Sequence, residues 1–235
     1  MQIVSLSLFR FASLRARLWA FAMMGAARPS LARHPDLLFW KLCGSGSGEG
    51  FTPLPNTGVY AILAVWPGED TARRQIETSP LWARYRRVAA EHWTLFLRPI
   101  SARGEWSGRI PFDAADDSGA GPLAALTRAT IRPRKMLRFW QRQPDIGRMI
   151  GANEDVLFKI GIGEVPWFQQ VTVSVWPDEA SMARFARASG PHAEAIRAVR
   201  AGHWFSEELY ARFRIAGEAG AWEGRSPRIP MEVTP

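Results

Sequence analysis

Four histidines and a single cysteine are the side chains through which this 235-residue chain could hold a transition metal. Two of the histidines open His-Trp pairs, His92-Trp93 and His203-Trp204, each at the end of an Arg-rich, helix-like run. His192 follows Pro191 at the start of the second of those runs, and His34 sits beside Pro35 in a probable loop. A neutral imidazole with one nitrogen aimed into a cavity is the usual protein ligand for haem iron, and a Cys thiolate is the alternative. Cys43 offers that thiolate, although a lone Cys is more often a small buried hydrophobe. His92 and His203 stand where a helix C-terminus favours imidazole on electrostatic grounds alone, so the simplest reading of both is maintenance of a helix-to-strand corner. No Asp/Glu/His cluster with metal-ligand spacing and no Ser-His-Asp set stands out.

The His-Trp pairs belong to a longer repeat. SPLWARYRRVAAEHW (79–93) lies over GPHAEAIRAVRAGHW (190–204) without a gap. Upstream, 59–74 matches 171–184 through a shared Val-Trp-Pro, and FWKL (39–42) matches LFKI (157–160). Downstream, GEWSG (104–108) matches GAWEG (220–224). The order is kept at a period of about 115 residues, too long for a solenoid. Residues 111–122, PFDAADDSGAGP, read as a linker with almost nothing to bury.

Each copy carries the pattern β-α-β-β-α-β. In the first copy a strand at 2–11 alternates and residues 12–33 are helical, with Leu14, Leu18 and Phe21 on one stripe. Strands follow at 38–42 and 59–66, then a helix capped by Ser79 with Pro80 in its first position, then a strand at 94–97. The second copy places its elements near 125–131, 134–150, 156–162, 168–176, 191–201 and 208–215. The expected fold is α+β: tandem duplicated ferredoxin-like units, 1–112 and 123–235, packed sheet against sheet with helices outside. That is a dimeric α/β barrel made within one chain.

The copies differ where chemistry would need them to. Leu81, Tyr85, Val88 and His92 form one helical stripe in the first copy; His192, Ile196, Val199 and His203 form it in the second. His192 thus fills a slot its twin gives to Leu81, and an imidazole there needs a partner. It is either a satisfied core histidine, or exposed at the helix start, or an axial ligand to iron. Lys159, Gly161 and Gly163 fall on one face of LFKIGIGEVP. The two glycines would let a planar ligand approach the backbone, with Lys159 as partner for a haem propionate. The bland reading is a bulge or turn strand with a solvated lysine. GSGSGEGFTPLPNTG (44–58) lacks the Lys-Ser/Thr ending of a phosphate loop and reads as a loop over a site or subunit contact.

Composition narrows the function classes. Apolar residues make up 47% of the chain, enough for a real core. Eleven Trp and thirteen Phe against three Tyr suit a large, flat or greasy ligand as well as they suit core packing. Net charge is +8, almost all from Arg, yet zinc-finger spacing, RNA-binding signatures and dense basic blocks are missing, so nucleic acid is not expected as a partner. One Cys excludes an internal disulfide and fits a reducing cytoplasm. Arg10, Arg15 and Arg17 interrupt the apolar N-terminal run, which argues against a signal peptide, and no window is apolar for long enough to span a bilayer. The chain is expected to be cytoplasmic or peripheral at the inner face of the membrane. Helix 12–33, with Trp19, Phe21, Met23 and Met24 beside Arg15, Arg17 and Arg28, could lie on an anionic bilayer or pack on its own sheet.

Taken together, VSLSLFRF, LWAFAMMG, FWKLCGSGSGEGFTPLPNTGVYAILAVW, AAEHWTLFL, VLFKIGIGEVPWFQQVTVSVWPDEASM, GPHAEAIRAVRAGHWFSEELYARF and WEG resemble the spheroidene monooxygenase family, acyclic carotenoid 2-ketolases of purple bacteria. The resemblance covers nearly the whole chain, the linker and the tail from 225 least. It implies a haem b enzyme that takes O2 and electrons from reduced ferredoxin and oxidises C-2 of spheroidene or a related carotenoid, by successive hydroxylations, to a ketone. It supplies no axial-ligand motif, so His192 stands on the repeat alone. A His-ligated haem would lean on distal hydrogen-bond donors, for which Gln170, Thr172 and Ser174 on one strand face qualify; they are equally ordinary polar strand residues. The rival readings are a peroxidase or dehydratase of the same barrel group, a non-catalytic haem or carotenoid carrier, and a cofactor-free barrel oxygenase. Self-association is compatible with all of them.

Overall fold

The computed structural model describes residues 1–48, 52–117, 119–141, 155–187 and 204–230. Eight strands close a single antiparallel barrel: β1 (Ile3–Arg10), β2 (Phe39–Gly46), β3 (Pro55–Trp66), β4 (Glu91–Gly104), β5 (Leu123–Ile131), β6 (Phe158–Gly163), β7 (Gln169–Trp176) and β8 (Phe205–Gly220). Around the circumference they run β1-β3-β2-β6-β7-β5-β8-β4. Within each half of the chain the strands follow one permutation, β4-β1-β3-β2 and β8-β5-β7-β6. The two half-sheets meet edge to edge. A long seam joins β4 to β8, from Trp93↔Gly220 to Gly104↔Leu209, and a short one joins β2 to β6 at Gly44↔Gly163 and Ser45↔Ile162. The packing expected from sequence, sheet against sheet, is therefore realised as one ladder whose closure leaves no unpaired edge.

Strict alternation builds the interior. On β1, Val4, Leu6 and Leu8 point inward and join Leu63, Val65, Leu95, Ile160, Val173 and Phe213 in one core. Ile3, Ser5, Ser7 and Phe9 point outward and are buried too, because helices cover that face. Buried outer serines are satisfied by indoles: Trp66 Nε1 donates to Ser5 Oγ at 2.8 Å and Trp82 Nε1 to Ser7 Oγ at 3.1 Å.

The covering helices of the first half are α1 (Leu14–Ala26), α2 (Arg28–Ala32), α3 (Glu69–Thr78) and α4 (Pro80–Val88). Ser13 caps α1, its Oγ accepting from the Ala16 amide at 3.2 Å. The helix expected over 12–33 is broken at Ala27, which caps α2, with Pro29 in the first turn of the new helix. Its buried face is also not the expected one. α1 buries Ala16, Ala20 and Met23, while Leu14, Leu18 and Phe21 are 72%, 62% and 70% exposed. The surface beneath already carries Phe9 and Tyr60 from the sheet, Phe11 just after β1 and Tyr85 from α4, and small alanines let the helix settle on those rings.

In the second half, residues 136–141 are helical and α5 (Glu179–Arg187) follows β7. The 111–122 segment has no regular structure, yet it is not inert: Phe112 is buried against Phe213, with ring centroids 5.1 Å apart, and Asp117 pairs with Arg214.

A cavity and a cleared sheet face form the candidate site

Register fixes which residues of the two halves correspond. Trp66 and Trp176 end β3 and β7, and Ile3 and Leu123 face them across β1 and β5. Counting from these pairs, Phe39 corresponds to Phe158, Lys159 to Trp40, Gly161 to Leu42 and Gly163 to Gly44. The ungapped match of 39–42 to 157–160 is thus one residue out, which in a strand exchanges inside for outside.

The outer face of the first half is filled with bulk. Its cross-strand rows read Trp40–Ala64–Ser5–Phe96, Leu42–Ile62–Ser7–Thr94 and Gly44–Tyr60–Phe9–His92. In the second half two of the rows become Lys159–Ser174–Ala125–Arg212 and Gly161–Thr172–Thr127–Tyr210. The third carries Gln170–Ala129–Glu208. Leu42 and Ile62 have thus become Gly161 and Thr172, and Phe9 and Tyr60 have become Ala129 and Gln170. Large apolar clusters sit at the ends of this face: Leu123, Trp176, Met182 and Phe185 at one, Ile131, Phe139 and Trp204 at the other. Between them Tyr210 and Arg212 stand on β8, and among the described residues the middle of the face on β5, β6 and β7 carries no large apolar side chain.

All six strand residues singled out from sequence meet on this face, Lys159, Gly161 and Gly163 on β6 beside Gln170, Thr172 and Ser174 on β7. They are not equally placed for a ligand. Ser174 is buried and accepts from Trp176 Nε1 at 3.0 Å. Gly163 has a reason internal to the fold: a Cβ there would lie 2.1 Å from the Gln169 carbonyl oxygen, so the β6–β7 hairpin itself demands glycine. Gly161 is buried in the cleared middle and Thr172 is half-buried.

The imidazoles and the thiol are distributed differently. His192 and His203 lie outside the described residues. His92 is half-buried beside Phe9; burial and the Arg86 charge lower its pKa, and its carbonyl accepts from the Ala221 amide at 2.9 Å. It serves the β4–β8 seam. Cys43 points into the packed barrel interior, fully buried, and burial foremost, then Glu164, pushes its thiol pKa far above the ordinary range. No thiolate forms there, and the opposite side of the sheet from the cleared face is the wrong side for a shared ligand. Among the described residues no group of three His, Cys, Asp or Glu could hold a metal.

A cavity of about 420 Å³ opens on the outside of the short β2–β6 seam. Gly44, Tyr60, Ile162, Gly163, Gln169 and Gln170 form its floor and walls, so it adjoins the cleared face. A Cβ on Gly44 would meet nothing within 4 Å, leaving that strand open to the cavity. Phe21, Leu54 and Trp167, all exposed, also line it and mark its rim. Residues 52–57 border the cavity, and the rim is tied together: Trp167 Nε1 donates to the Pro53 carbonyl at 2.9 Å, and the Trp167 carbonyl accepts from Trp140 Nε1 at 3.0 Å. Trp167 is held at φ +67°, a strained conformation for a bulky residue, so the two bonds fix the rim at a local cost. Burial raises the pKa of Tyr60, which keeps its phenol protonated. The Gln169 side-chain oxygen is buried without a hydrogen-bond partner. Sequence reasoning missed Trp167, Phe21 and Tyr60 as cavity residues; the Pro-Trp beside the glycine strand was the one available signal, and only the seam between halves gives it meaning.

Among solved structures, the chain resembles an aldoxime dehydratase in complex with butyraldoxime, with a TM-score of 0.61 and 11% identity, covering 91% of this chain and 79% of that one. At that identity the likeness shows the fold, an antiparallel barrel flanked by helices. No family model matches the sequence. Curated relatives do. Spheroidene monooxygenase of Cereibacter sphaeroides is 54% identical over 229 residues, 97% of this chain and 71% of the relative. That of Rhodobacter capsulatus is 49% identical over 230 residues, covering 97% and 95%. Identity of this size over nearly the full barrel, both halves and both seams included, means that the chain belongs to the spheroidene monooxygenase family.

Proposed function

We propose that this chain is a haem-dependent monooxygenase that hydroxylates C-2 of spheroidene or a related acyclic carotenoid and carries it to the ketone, using O2 and reduced ferredoxin. The observation that carries this reading is the apolar cavity at the β2–β6 seam adjoining a sheet face stripped of bulk. A carotenoid end needs an apolar slot, and a planar cofactor needs a flat neighbour. Family membership supplies the reaction class.

The second-half face suits a porphyrin in its chemistry. Gly161 and Thr172 remove the side chains that Leu42 and Ile62 present in the first half, and Lys159 offers a cation for a propionate. His192, which lies outside the described residues, is the residue that would hold the iron. When bound, haem supplies the oxidising power toward an unactivated C–H bond that amino-acid side chains lack. The chain's own residues do the rest. Phe21, Leu54 and Trp167 hold the apolar end and exclude water. The neutral Tyr60 phenol adds no charge to the slot. Gln169, with its buried side-chain oxygen unsatisfied, would accept a hydrogen bond from the newly formed hydroxyl and hold C-2 in place for the second oxidation. Gln170 and Thr172 remain the donors best placed beside the cleared face, while Ser174 is committed to Trp176.

Purified protein reconstituted with haem and supplied with an acyclic carotenoid, 18O2 and reduced ferredoxin should yield a labelled alcohol and then the ketone. Haem-loaded protein that gives no oxygenated product overturns the activity. Product from protein that shows no Soret band after haem supplementation overturns the cofactor alone.

A further inference from the structure

We infer that α1 is a bilayer-docking element that presses the mouth of the seam cavity against an anionic membrane. Leu14, Leu18 and Phe21 recur at helical spacing on one face of α1 and are among the most exposed large apolar side chains of the protein. Phe21 belongs to two surfaces at once: it ends the stripe and it lines the cavity. Leu54 and Trp167, exposed on the cavity rim, carry the apolar surface on from there. An isoprenoid chain dissolved in the bilayer could pass along this surface into the cavity without crossing water.

Charge selects the partner. The first 35 residues contain Arg10, Arg15, Arg17, Arg28 and Arg33 and no Asp or Glu. Arg15, Arg17, Arg28 and Arg33 are exposed on or beside α1 and α2. Arg17 Nε donates to the Phe11 carbonyl at 3.1 Å and Arg28 Nε to the Met24 carbonyl at 3.0 Å, which fixes these guanidinium groups at both ends of the helix. A second copy docked symmetrically on the stripe would set these cations against their own images with no acid in the segment to offset them. Anionic headgroups complement them. α1 has 13 residues, roughly 20 Å of helix, too short to cross a bilayer and suited to lie in its interface. Docking stands on α1 alone; delivery of substrate rests on the reading of the cavity as the carotenoid site.

The test is sedimentation of the full chain with vesicles of phosphatidylcholine, with and without phosphatidylglycerol, comparing the parent with a Leu14→Glu/Leu18→Glu variant. Both positions are exposed and neither lines the cavity, so the variant should keep its near-ultraviolet circular dichroism. The parent should bind the anionic vesicles and release at high salt, and each Glu should lower the partition coefficient by roughly tenfold. Equal binding by parent and variant, or indifference to phosphatidylglycerol, overturns docking. So does a dimer that dissociates in the variant while neither protein binds vesicles. A second arm separates delivery from docking: the variant should lose turnover of carotenoid held in vesicles but keep turnover of carotenoid in detergent micelles. Loss of both, or of neither, overturns delivery. A parent that binds vesicles and turns over carotenoid in neither form indicts the cavity reading and leaves docking standing.

Discussion

Two glycines face each other across the β2–β6 seam, and the structure predicts opposite outcomes for them. A side chain on Gly44 would project into open space beside the cavity, whereas a Cβ on Gly163 would lie 2.1 Å from the Gln169 carbonyl oxygen. Gly44→Leu adds four carbons to the slot and should exclude about four ligand carbons from it. At about 0.8 kcal/mol per buried methylene that is about 3 kcal/mol, or roughly 200-fold in kcat/KM for the carotenoid. Folding should be spared, since glycine in a strand gains from any side chain that fits. Gly163→Ala should cost about 1–3 kcal/mol of stability through overpacking, roughly 2–4 °C of Tm for each kcal/mol in a chain this long. The assay is paired: thermal unfolding and carotenoid turnover on both variants. The reasoning is refuted if Gly44→Leu turns over carotenoid as the parent does, or if it is Gly44→Leu that loses Tm while Gly163→Ala does not.

Further predictions concern the barrel interior. The Arg128 side chain is 1% exposed and pairs with Glu207. Glu207→Ala should therefore destabilise by about 3–5 kcal/mol in urea titrations, whereas Arg128→Leu/Glu207→Leu should fall near the parent, because the uncompensated buried charge is what costs. Burial opposes ionisation of Glu207, but the Gly108 and Ser107 amides and Arg128 outweigh it and lower its pKa. Its contribution should thus be complete above the ordinary carboxylate pKa and be lost as pH falls through the lowered folded value, and Glu207→Gln should flatten the acid limb of stability against pH. Cys43, with its thiol pKa raised by burial, should resist iodoacetamide in the native protein and react on unfolding; fast native labelling would place it on an accessible surface.

What sequence could read was period and order; what it could not read was facing. Alternation along β1, the helix start at Ser79-Pro80 and the two half-chains' common strand order all followed from local chemistry. The His-Trp match, by contrast, misled. Trp93 points into the barrel, with its ring 4.8 Å from Phe158 and its Nε1 on Glu218 at 2.5 Å, while Trp204 packs outside with Ile131 and Phe139. Leu8 pairs with Trp93, and its counterpart Arg128 pairs with Leu209, so the ladder puts Leu209 and not Trp204 in the place of Trp93. α1 shows a related effect: bulk marks the buried side of an isolated amphipathic helix, but a surface already carrying aromatic rings accepts alanines. The cavity was not legible at all, because its walls come from α1, the 52–57 segment and the β6–β7 hairpin, which only barrel closure brings together.

Strand correspondence also sets the interior polar groups of the two halves side by side. Inside the barrel Leu8 corresponds to Arg128, and Lys41 and Cys43 to Ile160 and Ile162. Lys41 of the first half and Arg128 of the second are thus interior cations, and both meet the same indole: Lys41 Nζ lies 5.6 Å and the Arg128 guanidinium 5.7 Å from the Trp106 ring. Each has its own carboxylate. Lys41 holds Glu164 at 2.8 Å, Arg128 holds Glu207, and Trp106 Nε1 donates to Glu164 at 2.6 Å. Glu164 follows β6 directly and Glu207 lies on β8, the outer strands of the second half-sheet. These inward ties, together with the hairpin contact at Gly163, hold the strands in register from the barrel side. Among the described residues, glycine, threonine and alanine then stand on the outer face where the first half has leucine, isoleucine and phenylalanine.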